Sequence, residues 1–261
     1  MRIPAESLVS IEGTGDVVRF AVVLAALAGL AALVSKLAGL GYSTAQLTAA
    51  GRAALQLTVV GSLISGVLGS WWLTVGFAVL MLVVASITGG RRVSGGPFWG
   101  WAFLPVCVGA LPVALVLLGT RIVPLVPISV VPILGILTGG AMTAMTLAGR
   151  RVRDALTRRH GEVEAALSIG LLDRDARLLI ARDDAGLALV PGLDQTRTVG
   201  LVTLPGAFVG TLLGGATPLQ AAAVQLVVLI ALLAVTAIST VLTMELIARG
   251  RLSLADEKSR T

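Results

Sequence analysis

Apolar runs of about bilayer-crossing length recur along this chain, and they rule out most folds before any motif is considered. A membrane helix needs roughly 20 apolar residues at about 1.5 Å per residue. Runs of this kind lie near residues 17–36, 53–69, 71–88, 99–118, 122–148, 199–216 and 219–248. One core could not bury them all. With 56% hydrophobic and 13% charged residues, the chain also lacks the roughly one-quarter charged fraction that covers a soluble domain. The runs are continuous, whereas the strands of a membrane barrel alternate with period two. The expectation is an all-α, polytopic membrane protein of about seven transmembrane helices with a cytosolic helix-turn-helix insert.

Positive charge sets the orientation, because Lys and Arg near span ends are retained on the cytoplasmic side. With the N-terminus outside, Lys36, Arg52, Arg91, Arg92, nine Arg of the segment 150–198, and Arg249, Arg251, Lys258 and Arg260 fall inside. Only Arg2, Arg19 and Arg121 fall outside. The net charge of +6 therefore reads as a topology signal. Nucleic-acid binding is not expected, since the central Arg alternate with Asp173, Asp175, Asp183 and Asp184 and have no aromatic neighbours for stacking. Glu6, Glu12 and Asp16 precede the first run, the reverse of a basic signal-peptide start, so that run is expected to remain as a span. Cys107 is the single cysteine, which leaves no intrachain disulfide and a side chain suited to apolar packing.

The chain divides into five spans over 1–149, a polar helical insert over 150–198, two spans over 199–248 and a tail over 249–261, all within one domain. SITGGRRVSGGP, residues 86–97, reads as a turn-rich connector. The insert reads as a helix from Arg150 to Ile169, a turn at Gly170, and a second helix from Asp173 to Asp184 that ends before a Pro191-Gly192 turn. On that second helix Ala176, Leu179, Ile180 and Leu187 form an apolar stripe opposite the charges. The stripe needs a cover: an ATPase, the membrane surface, or the insert's own first helix. Its motif has a precedent. Membrane subunits of ABC importers dock on their ATPase through Glu-Ala-Ala, three residues, Gly, nine residues, Ile; Glu164, Ala165, Ala166, Gly170 and Ile180 match that spacing. Asp183-Asp184 then replaces the expected Leu-Pro. Ala, Leu and Glu are also ordinary helix formers.

Within the spans, small residues at intervals of four suggest close helix packing: Gly135 and Gly139 on the fifth, and Gly206, Gly210 and Gly214 on the sixth. Pro105, Pro112, Pro124, Pro127, Pro132 and Pro205 interrupt spans four to six, and the carbonyls they free need protein or water partners. Polar groups at membrane depth are few. Gln56, Gln225, Thr138, Thr143 and Thr146 either bond between helices or line a solute path. Met142, Met145 and Met244 offer thioethers to a soft metal or pack as apolar groups, which leaves a metal site undefined. Glu245 sits four residues before Arg249 and reads as a local ion pair. No GxxxxGK[ST] loop, HExxH or CxxC occurs, and His160 is the single histidine, so no catalytic residue is expected. Any ATP and Mg would bind in a partner.

Three blocks resemble the FetB-type permease family, which includes a bacterial iron exporter subunit and plant aluminium-tolerance proteins. They are GRAALQLTVVG from Gly51, VPILGILTGGAM from Val131, and the long block from Leu187 to Gln225 with Pro191, Asp194, Thr198, Gly200, Pro205, Gly206, Gly210, Gly215 and Pro218. The likeness runs over about residues 20–248. Departures occur at Gly140 for the usual Asn, at Ala207-Phe208 for a pair that is often Met-Met or Met-Thr, and at Val224 for Tyr. Each removes a polar or sulfur group. The resemblance implies an ABC transporter permease in the cytoplasmic membrane, pairing with itself, with lipid around it and with a cytosolic ABC ATPase, and exporting an iron-like metal ion. From the motif spacing, ATPase coupling is expected through Glu164, Ala165, Ala166, Gly170 and Ile180, with Pro191 and Asp194 at the following turn, and from the few polar and sulfur groups in the spans a solute path is expected past Gln56, Thr138, Met142 and Gln225. An ATP-independent secondary transporter or channel is the alternative; it would normally show ionisable residues at midmembrane depth.

Overall fold

The structure, a computed structural model, describes residues 13–94 and 98–252. Arg2, Glu6, Glu12, Lys258 and Arg260, which entered the charge argument, lie outside the described residues, as do the last residues of the 86–97 connector. The described part is helical, and the chain forms two compact units, 1–69 and 70–261.

The first unit is a hairpin of α1 (Thr14–Leu37) and α2 (Ser43–Leu68). Its tight turn uses left-handed backbone at Gly39 (φ 66°) and Gly41 (φ 75°), which only glycine adopts at little cost. The Leu40 amide donates back to Ser35, closing the end of α1. The helix α2 starts ten residues before the expected 53, so Gln56 lies in its middle.

The second unit holds α3 (Trp71–Ser94), a 3-10 turn (Phe98–Ala102), α4 (Phe103–Gly119), α5 (Pro127–Arg158), α6 (His160–Ser168), α7 (Asp173–Gly186), a 3-10 turn (Leu187–Leu189), α8 (Val190–Thr198), α9 (Gly206–Leu213) and α10 (Pro218–Ala248). Its core lies among α3, α4, α5 and α10, where Val106, Ala110, Leu137, Met145 and Val235 are buried. Glycine lets these helices touch: Met145 and Met142 pack on Gly89, Leu232 on Gly140, Val93 on Gly149, and the Ser239 hydroxyl lies over Gly109 while donating to the Pro105 carbonyl at 2.9 Å. Such approaches replace the hydrophobic drive that lipid cannot supply.

The sequence expectation needs correction at three places. Residues 86–94 are helix, because α3 runs on through Gly89 and Gly90, and the missing side chain of Gly89 admits the methionines of α5. No break occurs at 149/150, since α5 continues to Arg158. The expected sixth span, 199–216, is not one helix: six helices among the described residues are long and apolar enough to cross a membrane, and α9, with 8 residues, is about 12 Å long.

Direction explains what replaces it. Met81 lies at Gly135 and Val93 at Gly149, so α3 and α5 run the same way. Ile133 shares a cleft with Val224 and Val227 while Gly140 meets Leu232, so α10 runs the same way too. The chain leaves α5 at one end and must re-enter α10 at the other. Residues 187–217 make that return along α10: Gly192 stands near Leu233, and Phe208 bonds Gln225. The return is broken between α8 and α9, where Gly200 has φ 85° and Val199 pairs with Thr203 in an isolated bridge.

Candidate functional site

An elbow built from the end of α5, α6 and α7 carries most of the charged side chains among the described residues. The α5 helix stops at Arg159 (φ −109°, ψ 31°) and α6 restarts at an angle. The Arg159 guanidinium stabilises this kink. It donates to both carboxylate oxygens of Glu162 at 2.7 and 2.6 Å and reaches across to the Ile180 carbonyl of α7 at 3.0 Å. The hydrogen bonds from Arg159 hold the Glu162 carboxyl below the usual carboxylate range. Arg158 pairs with Asp184 at 3.3 Å, a second tie between the arms.

Gly170 (φ 93°) makes the turn, with its amide donating to Leu167 and the Leu171 amide to Ala166. Inside the hairpin Val163 and Ala166 of α6 meet Ala176 and Ile180 of α7, flanked by Leu156 and Leu171. The two apolar faces thus cover one another, although Leu179 stays exposed. At the tip, Ile169 is 80% and Leu172 71% exposed. Ala166 (7% exposed) and Ile180 form the hairpin's own core, whereas Glu164, Ala165 and Gly170 are exposed. Glu164 lies 3.4 Å from the His160 ring.

The second insert helix does not end at Asp184. It continues through the 3-10 turn into α8, where Pro191 occupies the first turn and is tolerated because amides there lack intrahelical acceptors. Pro191-Gly192 is therefore helix. Pro191 and Asp194 are exposed, Asp194 pairing with Arg197 at 3.6 Å.

One contact across the elbow has no local sequence signal. Arg174, in the first turn of α7 beside the tip, grips Glu245 in the last turns of α10 through two bonds, Nε to Oε1 at 2.6 Å and Nη2 to Oε2 at 2.9 Å. Glu245 also receives Arg249 at 2.5 Å and Arg174 pairs with Asp175 at 2.7 Å. The pair expected to be local is thus also a tie between elements. Bidentate Arg-carboxylate geometry of this kind fixes orientation as well as distance. Arg153, in the preceding turns of α5, donates to the Val93 carbonyl at the end of α3.

Gln56 is exposed on α2 of the first unit. Thr138 and Met142 lie on the seam of α5 with α3; the Thr138 hydroxyl is buried without a hydrogen-bond partner, and so is that of Ser86 on α3. Gln225 is buried on α10, its Oε1 accepting from the Phe208 amide in the first turn of α9 at 3.2 Å. Of the packing glycines, Gly135 meets the Met81 methyl as expected of a close contact. The other four need correction. A Cβ at Gly139, Gly206 or Gly210 would meet nothing within 4 Å, and one at Gly214 would meet only carbonyls of its own helix, because α9 turns that stripe into open space. Gly89, Gly109, Gly140 and Gly149 do the packing instead. No group of three His, Cys, Asp or Glu able to hold a metal occurs among the described residues.

A family model described as "Uncharacterised protein family (UPF0014)" matches residues 18–251. The chain is 32% identical over 173 residues to "UPF0014 membrane protein STAR2" of Oryza sativa, covering 66% of this chain and 60% of that protein. It is 34% identical over 161 residues to "Protein ALUMINUM SENSITIVE 3" of Arabidopsis thaliana, covering 61% and 59%. It is 30% identical over 148 residues to "Probable iron export permease protein FetB" of Escherichia coli, covering 57% of each. The matched region thus spans about six-tenths of these relatives' length. No solved structure matches.

Proposed function

We propose, from the premise that this chain belongs to the UPF0014 family of membrane proteins, that it is the permease subunit of an ABC transporter and exports a metal ion of the iron type. Two copies of the chain pair in the cytoplasmic membrane, with the N-terminus outside and the elbow and C-terminus inside, and two copies of a separate ATPase bind ATP and Mg beneath them. ATP-driven closure moves the elbows, and the spans switch the accessible side. A ligand shifts such an equilibrium only by its differential affinity for the two states, and ATP supplies that difference.

The observation that carries the reading is the elbow. Its hairpin has a core of its own, and Ile169 and Leu172 remain exposed around the Gly170 turn. Aliphatic side chains presented on a rigid polar support suit a helix-in-groove contact with another protein. The iron-type solute and the outward direction rest on the name of the Escherichia coli relative. Described membrane segments offer it hydroxyls, thioethers and backbone carbonyls.

The test is co-purification of the chain with a candidate cytosolic ABC ATPase, comparing wild type with Ile169→Asp/Leu172→Asp. Recovery of the ATPase with wild type and its loss from the double variant, at equal membrane insertion, is the expected result. Equal recovery with both would move the contact away from the elbow.

A further inference from the structure

The helix α10 ends beside the elbow and begins at the broken return, and each of its ends makes a specific polar contact. At the cytoplasmic end of α10, Glu245 is gripped by Arg174, two residues from Leu172 of the exposed tip. Twenty residues earlier, Gln225 is 5% exposed and its carboxamide oxygen accepts from Phe208, in the first turn of α9. The two contacts are about 30 Å apart along one helix, roughly the thickness of the hydrocarbon layer. Between them α10 packs on α4 and α5 through Ser239 and Leu232 and carries no proline after Pro218. It is therefore the stiff connection between the elbow and the one traverse of this unit whose backbone is unwound.

The break it reaches is irregular and exposed. Residues 199–205 between α8 and α9 contain left-handed Gly200 and end in Pro205, and Leu201 is 93% exposed. Discontinuous segments at membrane depth are where transporters place moving parts. Among the described residues, Phe208–Gln225 is the one side-chain hydrogen bond between the first turn of α9 and α10, which also pack together.

We propose that α10 is the transmission rod of this permease: Arg174–Glu245 couples the elbow to it, and Gln225–Phe208 delivers its displacement to the α8–α9 break, the moving gate. Arg174, Glu245 and Gln225 are thus positioning residues that act through α10. The inference rests on the elbow being the docking surface, but its own links lie within one chain and are tested there. Coupling along a contiguous path requires a two-state element that both ends bias, and the break is that element.

Nitroxides at Leu201 and Leu219, both exposed, in a Cys107→Ser background report the gate-to-α10 distance by pulsed electron resonance. In the isolated chain in lipid nanodiscs, Arg174→Glu or Glu245→Arg displaces this distance distribution, all variants being compared in one Arg249→Gln background so that Glu245→Arg meets no like charge at 249. The double reversal restores it. With Gln225→Met, which keeps the volume but not the amide, reversal at Arg174 no longer moves it. In the complex with the ATPase, ATP and vanadate shift the distance in wild type and not in the single reversals, while co-purification is unchanged. A distribution insensitive to both single reversals in the isolated chain overturns the rod. Failure of the ATPase to co-purify with wild type would instead strike the docking reading, leaving the isolated-chain distances to decide this one.

Discussion

Placing a carboxylate at Ala166 and at Leu172 separates the core of the elbow from its contact surface. Ala166 is 7% exposed and packs among Val163, Ala176 and Ile180, with Leu156 and Leu171 at the margin. A charge left unpaired there costs roughly 3–5 kcal/mol. Burial of Val163 and Ile180 contributes only about 1.5–3 kcal/mol each, so Ala166→Glu removes most of what holds the two arms together. At Leu172, 71% exposed, the same carboxylate falls within about 0.5 kcal/mol, as for surface changes generally. The assay is limited proteolysis of the purified chain in nanodiscs, with cleavage between 150 and 198 followed by mass. Ala166→Glu should be cut there many times faster than wild type while the spans stay intact. Leu172→Glu should match wild type in cleavage yet lose the ATPase. An Ala166→Glu elbow as resistant as wild type would refute the assignment of Ala166 to a closed core, and with it the division between core and tip.

Gly89→Ala should destabilise the second unit by about 1–3 kcal/mol in a denaturant titration in detergent, because Met142 and Met145 occupy the added methyl's place; Gly139→Ala, with nothing within 4 Å, should be neutral or stabilising by up to about 1 kcal/mol. The Glu162 carboxyl is lowered by its bonds from Arg159, so the kink's brace is complete above the ordinary carboxylate pKa and is lost as pH falls through the lowered one. Elbow protease resistance should therefore hold from neutral to mildly acidic pH in wild type and drop only in strong acid, with Glu162→Gln already reduced at neutral pH. In a Cys107→Ser background, a cysteine at Leu125, exposed between α4 and α5, should react with an impermeant thiol reagent in whole cells, and one at Leu172 only after permeabilisation; the reverse pattern would invert the orientation.

Much of the elbow was legible because its signals are local. Glycine at 170, four residues beyond an alanine pair, marks a turn in any solvent, and the structure turns there with φ 93°. The burial of Ile180 was also within reach, since the insert's first helix is one of the three covers open to the stripe; that of Ala166 inside the hairpin was not, because the motif spacing places it at an ATPase contact. What local reading missed was continuity. Arg150 looked like a boundary because charge begins there, but charge ends a membrane environment without ending a helix, and α5 runs on to Arg158. Pro191 looked like a turn although proline is favoured in a helix's first turn. Gly206 and Gly210 have the spacing of a packing face, yet spacing says nothing about whether a neighbour stands opposite.

By itself the sequence determined that this is an all-helical membrane protein and roughly where its apolar segments lie. Hydropathy is a sum over single residues, and a chain with so little charge has no other way to satisfy its backbone than by helices in lipid. Pro205 marked an interruption in the segment from 199 to 216, but only the tertiary structure decided that the segment holds a single short helix from Gly206 to Leu213. An apolar run has the same hydropathy straight or kinked, and the choice was made by Gly200, Pro205 and the Gln225 bond to Phe208 acting together. It also decided that Glu245 answers to Arg174, because residues 71 apart meet only once α7 has folded back along α10, and no pattern of neighbours along the chain carries that distance.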